Sequence, residues 1–304
     1  MRLPCVMRSS TNNYCRSNNS HAFLWDSTGV MQDLDTLGGD NSSANAINDA
    51  GKVVGSADTT TSTRLFGGGH AFLWDSVDHM QDLGTLGGDK SIASDINNAD
   101  QVVGGSETST GFFSLSFFHA VLWDSSGGMT DLGTLGGNTS IATAINNTGQ
   151  VVGGSETSTG LGTSFHAVLW DSVTGIQDLD TLGGDFSMAW DINDLGQVVG
   201  QSTTAAGDLH WFLWDSVNGI KDLTSLVLNG AGWTLGVSDT AGPFINNKGW
   251  IAGTALNPAG KQHAVLLRPA SSQPPSPPSV PEPATWALLS AGLAAGLGRR
   301  RIHG

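Results

Sequence analysis

Apolar residues along this chain come in short pieces, each a handful of residues long and each closed by Gly, Asn, Asp or Ser. In "HAFLWD", starting at His21, a strand would carry His21, Phe23 and Trp25 on one face and Ala22 and Leu24 on the other. Both faces are largely apolar, which suits a strand covered on both sides. "KVVG", "QVVGG" and "QVVGQ" pair β-branched residues and stop at glycine. "NDAG", "NNTG" and "NDLG" read as turns, because Asn, Asp and Gly accept positive φ. No apolar stretch in the body keeps helical spacing for three turns. The pattern predicts an all-β protein.

The pieces recur in a fixed order. "HAFLWD" begins at His21 and His70, "HAVLWD" at His119 and His166, "HWFLWD" at His210 and "HAVLLRP" at His263, with spacings of 49, 49, 47, 44 and 53 residues. Between them stand "DLGTLGG" or a close relative, a segment closed by Asn48, Asn97, Asn146, Asn193 or Asn246, and then "QVVG" or similar. Four short strands every ~45 residues is the size of one propeller blade. A lone sheet with two apolar faces needs a neighbouring copy to cover it. The expected architecture is therefore a β-propeller of five to six four-stranded blades, with a linear β-solenoid as the alternative. Its last "HAVLLRP" strand is expected to complete a sheet with the N-terminal part. The decapeptide "VVGGSETSTG" occurs identically at Val102 and Val151, a sign of internal duplication and of residues without position-specific chemistry.

Charge excludes one class of partner. All 27 acidic residues lie between His21 and Pro283, while six of the 13 basic residues (Arg2, Arg8, Arg16, Arg299, Arg300, Arg301) lie in the tails. The seven left leave the body at −20. Such a body repels phosphate backbones, so no nucleic-acid partner is expected. The two cysteines, Cys5 and Cys15, fall in the N-terminal tail, and a disulfide there would close only a short loop.

The C-terminal end changes character. Ser271–Ser279 is rich in Pro and Ser, an extended spacer. Ala284–Gly298 runs fifteen residues without a charge and is followed by Arg299, Arg300 and Arg301. As a short hydrophobic helix it would fall short of the ~30 Å hydrocarbon core at ~1.5 Å per residue. The arginines would hold its C-terminus in the cytoplasm. "VPEPATWALLSAGLAAGLGRRR" resembles the PEP-CTERM sorting tail of envelope-forming Gram-negative bacteria, with Pro281, Glu282 and Pro283, the apolar helix and the arginine cluster all in place. The resemblance implies export, recognition by a membrane-embedded exosortase, transient insertion in the inner membrane, and association with exopolysaccharide.

The body resembles the extracellular repeats named for their His-Ala-Phe motif, the HAF family. "HAFLW", "DLGTLGG" and "INDAGKVVG" carry that resemblance, which extends from His21 to Pro269. The last unit departs from it: "DLTSLVLNGAGWTLGVSDTAGPFINNKGWIAGTA" replaces "TLGG" with a longer insertion, expected to act as a terminal cap. The resulting organisation is an irregular N-terminal tail (1–20), a HAF-repeat propeller (21–269), a Pro/Ser linker (270–279) and a sorting tail (280–304). A sorted protein is expected to begin with a secretory leader, and "MRLPCVMRSSTNNYCRS" has no apolar run of that length. A truncated or misassigned start is the matching expectation.

The recurrent histidines stand ~45 residues apart, one per repeat, and are expected to be bonded to neighbouring turns rather than to share a metal. Trp25, Trp74, Trp123, Trp170 and Trp214 are expected between blades, each following Asp capping the next turn. Asp40, Asp89 and Asp185 of "LGGD" are the only calcium candidates, and turn chemistry is the stronger reading. Glu107 and Glu156 repeat as copies, so neither looks like a catalytic carboxylate, and no nucleophile–base motif is present. Phe112, Phe113, Phe117 and Phe118 of "GFFSLSFF", together with Trp233, are the candidate platform for sugar rings. The expected function is a non-enzymatic cell-surface or matrix protein binding polysaccharide or another envelope component, without a cofactor. A carbohydrate-active propeller enzyme, a glycosidase or lyase, is the alternative.

Overall fold

The computed structural model describes residues 19–25, 29–60, 69–108, 117–158, 164–227, 232–236 and 242–269. The chain divides into two compact units, Met1–Arg268 and Pro269–Gly304. Of the second unit only Pro269 is described, so the apolar stretch 284–298 lies outside the described residues.

The first unit is a succession of small antiparallel sheets. A hairpin of β1 (Phe23–Trp25) and β2 (Met31–Asp33) comes first. β3 (Gly38–Ile47), β4 (Val53–Thr59), β5 (Gly69–Asp75) and β6 (His79–Asp82) then form a four-stranded sheet in that order. The same arrangement returns in β7 (Ser91–Ile96), β8 (Val102–Glu107), β9 (Phe118–Trp123) and β10 (Met129–Asp131). It returns again in β11 (Ser140–Ile145), β12 (Val151–Glu156), β13 (Phe165–Asp171) and β14 (Gly175–Asp178), and in β15 (Gly183–Ile192), β16 (Val198–Thr204), β17 (Leu209–Asp215) and β18 (Gly219–Asp222). One parallel pairing, Phe165 with Phe186, joins these last two sheets. The short helix α1 (Leu223–Leu226), whose Thr224 N–H is accepted by Asp222, leads into a terminal sheet. There β21 (Ile251–Leu256) pairs with β19 (Thr234–Leu235), β20 (Phe244–Ile245) and β22 (Gln262–Leu267). The long insertion of the last unit thus splits the first strand of its sheet into β19 and β20.

The architecture is the expected all-β, blade-repeating one, with two differences of detail. A "HAFLWD" segment is the third strand of its sheet, not the first. Each sheet therefore takes the second half of one sequence period and the first half of the next. The second difference follows from that phase: β22 pairs along its length with β21 in its own sheet, and β1 pairs with β2. Among the described residues no strand joins the first and last sheets.

Burial follows the two-faced reading of the strands. In the first four-stranded sheet Val53, Ala57, Phe72 and Trp74 pack back onto Ala22 and Leu34. Val54, Ala71 and Leu73 of the opposite face pack forward onto Ala93, Ile96, Val102, Val121 and Trp123. The next two interfaces repeat the set, with Ala120, Leu122 and Val103 against Ala142, Ile145, Val151, Val168 and Trp170, then Val152, Ala167 and Leu169 against Ala189, Ile192, Val198, Phe212 and Trp214. Trp74, Trp123, Trp170 and Trp214 are 2%, 1%, 4% and 6% exposed, so this tryptophan is the large side chain of the first four joints, while the joint onto the terminal sheet has Leu267 at its place and Trp211 from the facing strand. Burying one contributes about 4–6 kcal/mol before the cost of ordering the chain.

Candidate functional site

Among the described residues, the repeated histidines and the aspartates, glutamates and asparagines at the turns bond inside the repeat or to the next one. The histidine of the third strand donates from Nδ1 to an aspartate on the adjacent fourth strand: His21 to Asp33, His70 to Asp82, His119 to Asp131, His166 to Asp178 and His210 to Asp222, at 2.9, 2.8, 2.8, 2.8 and 2.7 Å. The same carboxylates accept the N–H two residues on, from Asp35, Gly84, Gly133, Asp180 and Thr224. The histidine is thus tied to a neighbouring turn, as expected, through an aspartate that the sequence reading did not single out. A constant offset of 12 residues between the two in every copy is the signal that would have found it. His263 departs: its Nε2 lies 3.0 Å from Nδ2 of Asn257, and its ring stands edge-on to Trp233 at 5.7 Å.

The aspartates after tryptophan cap their turns. Asp75 accepts from the N–H groups of Val77 and Asp78, and these bonds hold its carboxyl below the usual range. Asp124, Asp171 and Asp215 do the same work, led by the Ser126 hydroxyl, the Val173 N–H and the Asn218 side chain respectively. Nε1 of Trp123 donates to the Leu83 carbonyl of the preceding blade at 2.9 Å. The equivalent Nε1 of Trp170 is buried without a partner.

Asp40, Asp89 and Asp185 fall at equivalent corners of three different sheets. The Asp89 N–H donates to the Glu107 carboxylate at 3.0 Å, and the Asn138 N–H to Glu156 at 2.9 Å, so the two copied glutamates hold the "LGG" corner in place. Among the described residues no group of three or more His, Cys, Asp or Glu side chains is arranged to hold a metal ion.

The candidate aromatic platform is divided. Phe112 and Phe113 lie outside the described residues, as do Pro281, Glu282, Pro283, Arg299, Arg300 and Arg301. Phe117 immediately precedes β9 and Phe118 begins it, whereas Trp233 immediately precedes β19 and packs on the apolar core of the terminal sheet. The counterpart of Phe118 in the next blade, Phe165, stacks on Phe186 of the sheet after it at 6.2 Å. Two cations lie over the Trp250 ring, Lys248 at 5.5 Å and Arg268 at 4.5 Å from its centre. A shallow hollow beside β3 and β4 is lined by Ser20, Asn41, Ser42, Ser43, Ser56, Ala57, Asp58 and Gly69. Its polar groups are spent on one another, with the Ser20 N–H on Asn41 and Asn41 Nδ2 on Asp58.

What the fold does bring together from successive blades is the turn after the first strand. Nδ2 of Asn48, Asn97, Asn146 and Asn193 each donates to the backbone carbonyl of the equivalent asparagine in the next blade, at 3.1–3.2 Å. Beside this ladder runs a second: the N–H of Asp49, Asn98, Asn147 and Asp194 donates to the side chain of Asn98, Asn147, Asp194 and Asn247. Sequence reasoning treated these residues as turn formers alone. Behind the ladders sit Asp95 and Asp191, which accept the N–H groups of Ile145 and Ile245 in the following blade. Burial raises both carboxyls, that of Asp191 to about 6.

Residues 279–301 match the PEP-CTERM protein-sorting motif. The motif is that of exported proteins sorted by an exosortase, and it covers the tail alone. Among the described residues no helix is long and apolar enough to cross a membrane. No curated protein matches the chain. Among solved structures, TolB from Acinetobacter baumannii is similar with a TM-score of 0.52 at 13% identity, over 80% of this chain and 58% of that one. The likeness supports a propeller-like fold and nothing finer, and this chain spans little more than half of that structure's length. XC5397 from Xanthomonas campestris, a gluconolactonase, is similar at 8% identity and a TM-score of 0.41, over 83% of this chain and 81% of that one.

Proposed function

We propose that this chain is a non-enzymatic repeat protein of the HAF type, displayed at the cell surface or in the extracellular matrix, where it binds polysaccharide or another envelope component. The observation that carries the reading is the sorting motif at 279–301, with its Pro281–Glu282–Pro283 triplet, apolar stretch and arginines. The apolar stretch Ala284–Gly298 serves as a transient inner-membrane anchor until the exosortase processes the tail. The polar residues that recur in every blade support a scaffold role. His–Asp pairs, capping aspartates and corner glutamates are all engaged in holding turns, which leaves no repeated nucleophile–base set. The exposed second ladder of Asp49, Asn98, Asn147, Asp194 and Asn247 offers carboxylate and amide groups from consecutive blades, chemistry suited to sugar hydroxyls. The body's acidity favours neutral or cation-bridged glycans over polyanions.

The test is expression of the full chain in an exosortase-bearing Gram-negative host, followed by fractionation and by incubation of the released protein on a glycan array. Wild type should appear at the surface in a shortened form, and the double variant Pro281→Ala, Pro283→Ala should accumulate unprocessed in the inner membrane. Retention on glycans without release of sugar supports the reading. Catalytic release of sugar, or equal processing of both forms, would sink it.

A further inference from the structure

The terminal sheet departs from the repeat at four places, each towards a cation or an aromatic ring. Trp250 stands where three other blades have Gln101, Gln150 and Gln197. Arg268 stands where the turn-capping Asp75, Asp124, Asp171 and Asp215 stand. Lys248 replaces an uncharged residue, and Lys261 takes the hairpin place held one blade earlier by Asp208. Residues 240–281 hold three basic residues and no acidic one, whereas 21–239 hold four basic and 26 acidic, a net −22. These cations border an uncovered face. The pairings Phe244 with Ala252, Ala252 with Leu266 and Thr254 with Ala264 put those side chains on one side of the sheet. Phe244 and Leu266 are 59% and 48% exposed, and Ala252 and Ala264 are exposed as well. On an inner sheet the matching Val54, Ala71 and Leu73 pack against the next sheet. Lys248 and Arg268 are exposed, and both lie over the Trp250 ring. An aromatic ring bearing cations beside apolar side chains suits the headgroup layer of a bilayer. After Arg268 come fifteen residues, 269–283, which reach at most about 50 Å, and then the apolar stretch 284–298.

We infer that this face of the terminal sheet rests on an anionic phospholipid surface while the tail holds the chain at the membrane. The inference takes the tail as the anchor proposed above. A bilayer answers each feature of the face. Its anionic headgroups meet Lys248, Lys261 and Arg268, its interface takes Trp250, and its outermost apolar layer takes Phe244 and Leu266. The same surface repels the acidic remainder of the body, which turns the basic end towards it.

Fluorescence quenching in vesicles reads this. The full chain, with Cys5→Ser and Cys15→Ser, carries one fluorophore on Ala252→Cys and is mixed with phosphatidylcholine vesicles holding nitroxide-labelled lipid, with or without phosphatidylglycerol. Carbonate extraction, run alongside, reads insertion of the tail separately. The Ala252→Cys label should be quenched in the phosphatidylglycerol vesicles and released by added salt. A label on Val173→Cys, at a hairpin residue 89% exposed, should stay bright. Each cation near an anionic surface is worth about fivefold in partition, so Lys248→Glu with Arg268→Glu should bring quenching down to that of the neutral vesicles. The charge-keeping pair Lys248→Arg and Arg268→Lys should quench like the parent. Equal quenching in both lipid compositions, or at both label sites, would overturn the inference. So would an Ala252→Cys label that iodide cannot reach before vesicles are added, the behaviour of a face covered by residues outside the described ones. Quenching on a chain that carbonate strips away would uphold the face and sink the tail as anchor. A bright label on a chain that resists carbonate would do the reverse.

Discussion

The Asp191 carboxylate accepts N–H bonds from Ile192 and from Ile245 of the following blade, yet its pKa stands at about 6. Desolvation is the larger effect, and two neutral donors do not offset it; the nearby charge of Asp95 adds to the rise. A carboxyl raised from an ordinary 3.8 to about 6 favours the fold most when protonated. Its contribution is complete below pH 3.8 and is lost as pH climbs through about 6. Across that window the loss amounts to about 3 kcal/mol at ~1.36 kcal/mol per pKa unit. Asp191→Asn cannot ionise, so it gives up one acceptor at every pH but escapes the loss. Urea melts at pH 4 and pH 8 should show the variant gaining on wild type by about 2 kcal/mol between the two, since part of the loss has already occurred at pH 4. A parallel pair of pH profiles would mean that water reaches the carboxylate and that the joint between β15 and β20 is looser than its burial suggests.

Between the first and second strands of each four-stranded sheet the register slips by one residue, at Ala44/Ala46, Ala93/Asp95, Ala142/Ala144 and Ala189/Asp191. The bulge turns the side chain before the ladder asparagine into the joint, and it brings the first strand's backbone hard against the second. Gly153 sits at that approach, where an added Cβ would fall within bonding distance of the Ile141 carbonyl, a backbone atom with no freedom to swing away. Gly153→Ala should therefore cost about 1–3 kcal/mol, read as a lower urea midpoint, whereas an unchanged midpoint would show that the bulge can relax. The "VVG" glycine thus has a physical reason that no single copy of the motif displays. Alternation of apolar residues, Gly and Asn-rich turns and a ~45-residue period were enough to read strands, repeat and blade size. Which strand begins a sheet was not legible, because a period has no origin until pairing partners are known. The Asn and Asp ladders escaped notice for a related reason: "IN" followed by Asn or Asp is also good turn chemistry, and only stacking reveals that Nδ2 of Asn97 crosses to the carbonyl of Asn146.

Among the described residues of the first unit each apolar cluster joins one sheet to the next, so stability is a sum of blade terms and joint terms, as in other repeat arrays. A residue's importance then depends on which joint it fills rather than on its type. Trp123 and Trp25 are the same letter of the same motif, but the first is 1% exposed and bonded to the Leu83 carbonyl while the second is 67% exposed. Trp123→Ala should cost about 3–5 kcal/mol, and Trp25→Ala should stay within about 0.5 kcal/mol of wild type. Hydrogen exchange should resolve the same contrast without mutation. Amides of β8 and β12, flanked by covered faces, should exchange far more slowly than those of β1, β2 and β22. Uniform protection would mean that the outermost faces are already shielded within one chain, and that end and middle blades stand on equal footing.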